Sequence, residues 1–405
     1  MPRSFRVLIA VCALLVSMLA GSAAASSTLP APSVRFARFD LTSGTTSGLS
    51  NKNGVLTISH GSDGTWLSPT QPVNFAFDEL VASWNATTPA NTWITVEMSA
   101  TGSRRTTKWY TMGIWTSDPV PAHRTSLSHQ GDLDGFVAID TFIRSKKAPP
   151  LDSFQLRVRL HRSGTNETPA VRLIGAMTSA DVAKYDIPSA PVGTTLRDGL
   201  GVPTYSQEIH AGEFPDLDGG GEAWCSPTST EMIVDKWGYR PSDAELAAFP
   251  GPTRPDGTAY PDPQVDFAAR GVFDWNYQGA GNWPFNAAYA GSRGLNAFVT
   301  RLRSLAEAER FIAAGIPLVA SIQGKLPGFF FGKTNGHLLT IVGFTRSGDV
   351  ISNDPAVPED TDVHKIYGRA DFENVWLGGS GGIVYVIYPN GTALPPHMPD
   401  LDPNW

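Results

Sequence analysis

Cys225 is the residue with the clearest chemical potential in this sequence, because the only other cysteine, Cys12, lies in an apolar N-terminal run. A thiol attacks a carbonyl carbon as its thiolate, and free cysteine is mostly protonated at neutral pH. Pro227 suits the first turn of a helix, so we expect Cys225 at a helix start, where the helix dipole stabilises negative charge. Cys225 is therefore either a nucleophile or a small core residue.

A nucleophilic thiol needs a histidine that takes its proton and later protonates the leaving group. Four of the eight histidines lie in the N-terminal part and His397 lies in a Pro-rich tail, which leaves His210, His337 and His364. His337 directly precedes the apolar run 338–342, and Gly336 before it lets a partner approach closely. His337 is therefore the predicted partner of Cys225.

Asp354 is the predicted third member of the site. It follows the apolar run 350–353, which is separated from the His337 strand by the turn residues Ser347 and Gly348. If the two strands pair antiparallel, Asp354 comes alongside the first residues of the His337 strand. A carboxylate there would orient the imidazole and stabilise its charged form. Taken singly, such residues are more often a core cysteine, a structural histidine and a turn aspartate. Their order along the chain nevertheless favours a catalytic triad.

The elements that must position these residues fall into two parts. The first is β-rich: Phe154, Leu156, Val158 and Leu160 alternate with polar residues, the pattern of a half-buried strand. Similar runs with turn residues between them predict a β-sandwich without helices; they are 34–39, 94–98, 109–115, 136–143 and 171–176.

The second part mixes helices and strands. We expect a helix over 227–237 and another over 304–314, the latter with a capping box of Ser304 and Glu307. Strands are expected over 316–322, 337–344, 350–353 and 383–388, an α+β pattern. The predicted division is a signal peptide (1–25), a β-sandwich (26–178), a linker (179–200), the α+β domain (201–392) and a Pro-rich tail (393–405).

The N-terminus predicts export. Arg3 and Arg6 precede an apolar run from residue 7 to residue 20, and small residues follow at 23–25, as in a secretory signal peptide. We therefore expect a secreted protein with no membrane span. The formal net charge is -7 and there is no basic run, which argues against a nucleic-acid partner. The acidic Asp-Gly turns at 132–135 and 216–219 lack the spacing of a calcium loop.

Three segments together resemble the C39-like branch of papain-fold cysteine peptidases: WCSPTS at 224–229, GHLLTIVG at 336–343 and NDPA at 353–356. The resemblance covers about residues 200 to 390. It implies a papain-like fold with a triad of Cys225, His337 and Asp354. It also implies an oxyanion-hole glutamine upstream of the cysteine, a role that falls to Gln207 in VPTYSQ at 202–207.

The sequence departs from the better-known C39 pattern at two of these positions. Ser226 stands where bacteriocin-processing members have glycine, and an insert at 210–222 separates Gln207 from Cys225. No ATPase region accompanies the domain, so the chain resembles stand-alone secreted members from actinobacteria.

The predicted function is hydrolysis of peptide bonds through a thioester acyl-enzyme, with a peptide or protein substrate and no cofactor or metal. The same triad would also suit a cell-wall peptide amidase or an acyl transferase. A third alternative is a surface-binding protein with an inactive peptidase fold. The exposed tryptophans of the β-sandwich could contact carbohydrate or the cell wall, although sandwich cores use tryptophan as well.

Overall fold

The computed structural model describes residues 33–117, 121–164, 167–180, 189–193 and 199–405. The predicted signal peptide and most of the predicted linker lie outside these residues. We call residues 33–180 the sandwich and residues 199–405 the C-terminal unit.

The described part of the sandwich consists of strands joined by turns and contains no helix. The strands are β1 (Ser33–Arg38), β2 (Thr45–Ser47), β3 (Leu49–Lys52), β4 (Val55–Ile58), β5 (Asp63–Leu67), β6 (Gln71–Phe77), β7 (Glu79–Thr87), β8 (Thr92–Thr101), β9 (Tyr110–Trp115), β10 (Gly135–Ala138), β11 (Thr141–Arg144), β12 (Leu151–Arg162) and β13 (Ala170–Ala180).

Two antiparallel sheets enclose the sandwich core. One has the order β10-β11-β7-β13-β4-β3, with β1 also on β13, and the other has the order β2-β5-β12-β8-β9, with β6 also on β12. The alternation predicted for β12 is present, since Phe154, Leu156, Val158 and Leu160 are buried. The run 136–143 is two strands rather than one, because the chain reverses at Ile139 and Asp140.

The C-terminal unit combines helices with one antiparallel sheet of order β14-β19-β15-β16-β17-β18. Its helices are α1 (Cys225–Lys236), α2 (Asp243–Ala248), α3 (Pro263–Val272), α4 (Trp283–Ser292), α5 (Leu305–Ala313) and α6 (Arg369–Ser380). Its strands are β14 (Asn296–Arg301), β15 (Leu318–Lys325), β16 (Lys333–Phe344), β17 (Val350–Asn353), β18 (His364–Tyr367) and β19 (Ile383–Tyr388).

The C-terminal helices depart from the sequence expectation in two ways. The capping box predicted for α5 does not form, because the Glu307 carboxylate instead contacts Arg303 at 3.0 Å and Asn404 at 2.8 Å. The helices α2, α3, α4 and α6 were not predicted. Most residues of α4 are buried, so it lacks the two-faced pattern by which a surface helix is recognised.

The sandwich and the C-terminal unit share an extensive interface. Phe285 of α4 packs against Trp84 and Trp115, with ring centroids at 6.0 and 5.8 Å. The backbone of β14, an edge strand, is covered by side chains of β7. Asn85 exchanges two hydrogen bonds with Ala297 at 2.7 and 3.0 Å, and Ser83 accepts one from the Val299 N–H at 2.9 Å. These contacts give hydrogen-bond partners to backbone groups of β14 that would otherwise be unpaired at the edge of the sheet.

The predicted tail and the described part of the predicted linker are both anchored. Near the C-terminus, the Pro403 carbonyl accepts from the Phe36 N–H of β1 at 2.9 Å, and Trp405 packs on Phe311 of α5. In the linker, Ser189 donates from its N–H to Glu373 of α6 at 2.8 Å. The tail therefore links the two parts of the molecule.

Candidate active site

Cys225 is the first residue of α1 and follows a glycine-rich loop. The loop turns at Gly220, whose φ of 118° suits glycine, and Gly221 lies so close to His210 that a Cβ atom there would collide with it. From Ser226 onward α1 is buried, and Ser229 donates to the Leu338 carbonyl of β16 at 3.1 Å. This packing fixes the half-buried, free thiol of Cys225 beside the strand that carries His337.

The pairing of β16 with β17 brings His337 and Asp354 together. Thr340 lies opposite Asn353, so Asp354 continues β17 toward the His337 end of β16. His337 contacts the Asp354 carboxylate through Nε2 at 2.7 Å, and both side chains are buried. Nδ1 is the ring nitrogen that Asp354 leaves free, and the Cys225 thiol lies near enough to the ring to raise its pKa.

Asp354 is held by two further donors. The Ala356 N–H donates to Oδ1 at 3.0 Å and the Tyr367 hydroxyl donates to Oδ2 at 2.6 Å. Tyr367 was not predicted, because nothing in the pattern around residue 367 relates it to position 354. These bonds restrict the carboxylate to one orientation and thereby orient the imidazole.

The electrostatics favour a charged imidazole. Burial alone would lower the pKa of His337, but the charge and hydrogen bond of Asp354, together with Cys225, raise that pKa to about 10. Burial also acts to raise the pKa of Asp354, yet the facing imidazolium and the donors around it hold that pKa below its ordinary value. At neutral pH the pair is therefore an imidazolium and a carboxylate.

Gln207 lies against the loop that leads to Cys225. It is buried, and its N–H donates to the Pro355 carbonyl at 2.9 Å, next to Asp354. Its side-chain amide donates to the Glu222 carbonyl at 2.6 Å and to the Glu208 carboxylate at 3.1 Å. Both amide hydrogens are thus in use, and one of their acceptors is a charged group on the adjacent residue.

Glu208 is a site neighbour that the sequence did not reveal. Partial burial raises the pKa of its carboxyl, against a lowering effect of the hydrogen bond from Gln207, and His337 is among the charges that act on it. An acid directly after the glutamine is an ordinary surface feature in a sequence. Only the turn Glu208–His210 places it between Gln207 and the imidazole.

Aromatic side chains border the site. Phe329 packs on the His337 ring at 5.0 Å, and Phe330 and Phe331 next to it are exposed. Within the run 329–331, Phe329 is buried, whereas the other two side chains face solvent. The half-exposed Tyr277 is a second aromatic neighbour. Burial raises the pKa of its phenol, and the charge of Cys225 contributes to that rise.

The comparisons with known families divide the chain where the two structural parts divide. Residues 33–179 match the Peptidase C39 N-terminal domain and residues 199–382 match the Peptidase_C39 like family. Residues 199–382 therefore belong to the C39-like peptidase family. This membership supports a peptidase role in general and agrees with the resemblance of the three segments around Cys225, His337 and Asp354.

Solved structures similar to this C39-like chain are distant. One described as a C39-like peptidase from Bacillus anthracis is 18% identical and covers 49% of this chain and 98% of its own, with a TM-score of 0.29. A structure of infectious bursal disease virus, Gt strain, is 15% identical over 44% of this chain and 39% of its own, with a TM-score of 0.21. A carbohydrate-binding module of the β-sandwich superfamily is 9% identical over 35% and 55%, with a TM-score of 0.19. No curated protein matches the chain. Scores this low carry no inference about fold or function.

The remaining candidates from the sequence lie elsewhere. His210 is buried behind the Cys225 loop and contacts Glu213 at 2.5 Å, and His364 contacts the Asn353 side chain at 3.2 Å. Asp132 and Asp218 bond to protein groups, and no group of three or more metal-ligating side chains occurs among the described residues. In the same part of the chain, no helix is long and apolar enough to cross a membrane.

The five tryptophans considered for carbohydrate binding separate into two sets. Trp66, Trp84 and Trp115 are core residues. Trp93 and Trp109 are half-buried, and each is covered by a neighbour: His161 stacks on Trp93 at 5.2 Å and Arg157 lies over Trp109 at 4.2 Å.

Proposed function

We propose that this chain is an exported cysteine peptidase with a papain-like fold, in which Cys225, His337 and Asp354 form the triad. The observation that carries the proposal is the buried His337 imidazole, which has Asp354 on Nε2 and the Cys225 thiol as its other neighbour. An imidazolium beside a thiol at a helix N-terminus stabilises the thiolate, which is the reactive form.

The first half of the reaction is acylation. The Cys225 thiolate attacks the carbonyl carbon of a peptide bond, and the carbonyl oxygen becomes an oxyanion. The Cys225 N–H at the start of α1 is one proposed donor to that oxyanion. The side-chain amide of Gln207 is the other, once one of its hydrogens leaves the Glu208 carboxylate. When the C–N bond breaks, His337 gives its proton to the leaving amine, and a thioester remains on Cys225.

The second half is hydrolysis of the thioester. His337, now neutral, takes a proton from water, and the resulting hydroxide attacks the thioester carbonyl. The C–S bond breaks, the acid product leaves, and Cys225 returns to a thiolate beside the imidazolium. Asp354 keeps the imidazole in one orientation and stabilises its charged form in both halves, as the bonds from Ala356 and Tyr367 hold the carboxylate in place.

The proposed organisation follows the sequence division: a signal peptide at 1–25, a sandwich at 26–178, a linker at 179–200, the peptidase domain at 201–392 and a tail at 393–405. Export rests on the N-terminal basic and apolar residues alone.

Thiol labelling tests the proposal directly. Iodoacetamide labelling of Cys225 is followed between about pH 5 and pH 9 by mass spectrometry of the Cys225 peptide, in the wild type and in His337→Ala. We expect fast labelling of the wild type down to about pH 5, because the imidazolium maintains the thiolate, and an ordinary thiol profile in His337→Ala. His364→Ala is the matched control and should label like the wild type.

Hydrolysis of a denatured protein by the wild type, but not by a folded Cys225→Ala variant, completes the test. Equal activity in both proteins would remove Cys225 from the mechanism. An ordinary thiol profile in the wild type would instead favour a binding protein with an inactive peptidase fold.

A further inference from the structure

A cavity of about 340 Å³ lies where the sandwich meets the C-terminal unit. The β10–β11 hairpin contributes Ile139, Asp140 and Ile143, and the C-terminal unit contributes Tyr277 and Trp283. We propose that this cavity binds a lysine-like side chain of the peptide substrate, so that the sandwich takes part in substrate recognition. The inference rests on the proposed function, because it names a subsite of the same active site.

The loop that precedes α4 is bonded both to the wall of the cavity and to the segment that leads to Cys225. At one end of that loop, the Trp283 N–H donates to Asp140 at 2.8 Å. Near the same end, the Ala280 N–H donates at 2.9 Å to Asp218, which begins the glycine-rich loop before Cys225. The loop therefore connects the cavity wall with the segment that holds the nucleophile.

Two tyrosines support this adjacency. Tyr277 lines the cavity, and its pKa is raised first by burial and then by the charges of Asp218, Asp140 and Cys225. The Tyr385 hydroxyl is hydrogen-bonded to the Ser226 hydroxyl at 3.0 Å. Burial raises the pKa of Tyr385, and the charges of Asp140 and Cys225 act in the same direction. Asp140 and Cys225 therefore act on the same two phenols, and charge effects of this kind weaken with distance.

The lining matches an apolar chain that ends in an ammonium group. Ile139 and Ile143, with the Trp283 ring, supply apolar walls, and Ile139 is 39% exposed whereas Asp140 is 7% exposed and thus deeper. The Asp140 carboxylate receives hydrogen bonds from uncharged donors, the Trp283 N–H and the Thr141 hydroxyl. A substrate ammonium would compensate its charge better than these neutral groups do.

The other charges at the cavity leave it negative. Arg301 contacts Glu79 at 2.5 Å, so this pair largely cancels, although Arg301 is also near enough to experience Asp140. Asp274 adds a further negative charge that acts on Asp140. Among the lining residues, the two carboxylates of Asp140 and Glu79 face one guanidinium, which favours a cationic side chain over a neutral or acidic one.

Ile139 gives an independent indication of binding. It is the first residue of the two-residue turn between Ala138 and Thr141, and its φ is 59°. A β-branched residue is strained in this left-handed region, where glycine is the usual residue. Strained residues that persist are concentrated at functional sites. An exposed isoleucine retained at a glycine position beside a cavity therefore suggests that its side chain contacts a ligand.

The main experiment profiles a diverse peptide mixture by mass spectrometry of the cleavage products. We expect the wild type to show lysine enriched at one position within about three residues of the cleaved bond. Asp140→Asn should lose this enrichment while it still cleaves, and Asp152→Asn, an exposed carboxylate on β12, is the matched control. Cleavage by the wild type without a cationic preference would overturn the subsite and leave the peptidase proposal intact.

A second measurement does not depend on hydrolysis. Methanethiosulfonates with a 2-aminoethyl or a 2-sulfonatoethyl group convert the Cys225 thiolate to a mixed disulfide and release methanesulfinate. The ratio of cationic to anionic rate constants should fall about tenfold in Asp140→Asn and stay constant in Asp152→Asn. An unchanged ratio in Asp140→Asn would overturn the inference even if the protein cleaved no peptide.

The Ile139→Gly variant separates binding from folding. Glycine relieves the backbone strain, so the melting temperature should stay the same or rise, whereas KM for a lysine-containing peptide should increase several-fold. Asn53→Gly, which replaces another residue of positive φ in an exposed turn, should change neither KM nor kcat. An unchanged KM in Ile139→Gly would contradict a contact between Ile139 and the substrate.

Discussion

Two buried histidine–carboxylate pairs lie close to Cys225, and they differ in what the second ring nitrogen faces. His337 contacts Asp354 at 2.7 Å through Nε2 and has the Cys225 thiol as its other neighbour. His210 contacts Glu213 at 2.5 Å through Nδ1, and its Nε2 has no hydrogen-bond partner among the described residues. The first pair adjoins the nucleophile, and the second lies behind the loop that carries it.

The surroundings of His210 indicate a structural role for the second pair. The rings of Trp224 and Tyr260 flank His210 at 6.0 and 6.4 Å, and Gly221 packs directly against its backbone. His210 thus anchors the insert at 210–222 to the start of α1. Burial and a carboxylate partner are common to both histidines, so only the position of the thiol distinguishes a catalytic role from a structural one.

Matched removal of the two acids should give the largest effects. Asp354→Asn leaves the site nearly isosteric but removes the charge that stabilises the imidazolium, so kcat/KM per folded molecule should fall by roughly 10² to 10³. Glu213→Gln should instead lower the free energy of unfolding by roughly 3 kcal/mol, because it breaks a buried pair. Peptide hydrolysis and thermal unfolding of both variants provide the measurement.

Activity per folded molecule is the quantity to compare in this pair of variants. For Glu213→Gln it should remain within about threefold of the wild type at a temperature where the variant is folded. A loss as large as that of Asp354→Asn would mean that the His210 pair positions the nucleophile rather than only stabilising the insert.

A pH effect on stability should come from Asp266, which lies close to the His210–Glu213 pair. Burial and the nearby charge of Glu213 raise the pKa of Asp266 from 3.8 to about 7, although His210 and Arg270 act in the opposite direction. The folded state therefore holds a proton that the unfolded state releases between these values, and the free energy of unfolding falls as the pH rises from about 4 to about 7.

Asp266→Asn should abolish this decrease in the free energy of unfolding. The melting temperature of the variant minus that of the wild type should therefore increase by a few degrees between about pH 5 and pH 8. Differential scanning calorimetry across this range measures the effect. Asp243→Asn, an exposed acid on α2, is the control and should track the wild type. Parallel profiles of Asp266→Asn and the wild type would rule out Asp266 as the titrating group.

The sequence was informative where local pattern and chemistry coincide. His337 and Asp354 were predictable because each lies at the end of an apolar strand, and the short turn between the strands determines their pairing. Cys225 was predictable because a proline two residues later indicates a helix start. Each of these signals lies within a few residues of the functional side chain.

Residues that join the site through tertiary contacts gave no such signal. Asp140 and Ile139 lie 85 and 86 positions before Cys225, and the run 136–143 predicted one uninterrupted strand because isoleucine rarely occupies a left-handed turn position. Tyr277 belongs to a stretch in which no element was predicted. The interface between the sandwich and the C-terminal unit brings these residues together, and a local pattern does not encode it.

The turn Glu208–His210 reaches both histidine pairs, since Glu208 is close enough to influence His337 and His210 belongs to the other pair. Glu208→Gln removes an anion that receives one amide hydrogen of Gln207 at 3.1 Å. A neutral neighbour disfavours a developing oxyanion less than a carboxylate does, so kcat should rise about two- to threefold.

Gln207→Ala should lower kcat by tenfold or more if its amide stabilises the oxyanion. Steady-state kinetics at about pH 7.5 compare the two variants, and changes of the same sign in both would mean that Glu208 assists the amide rather than competing for it.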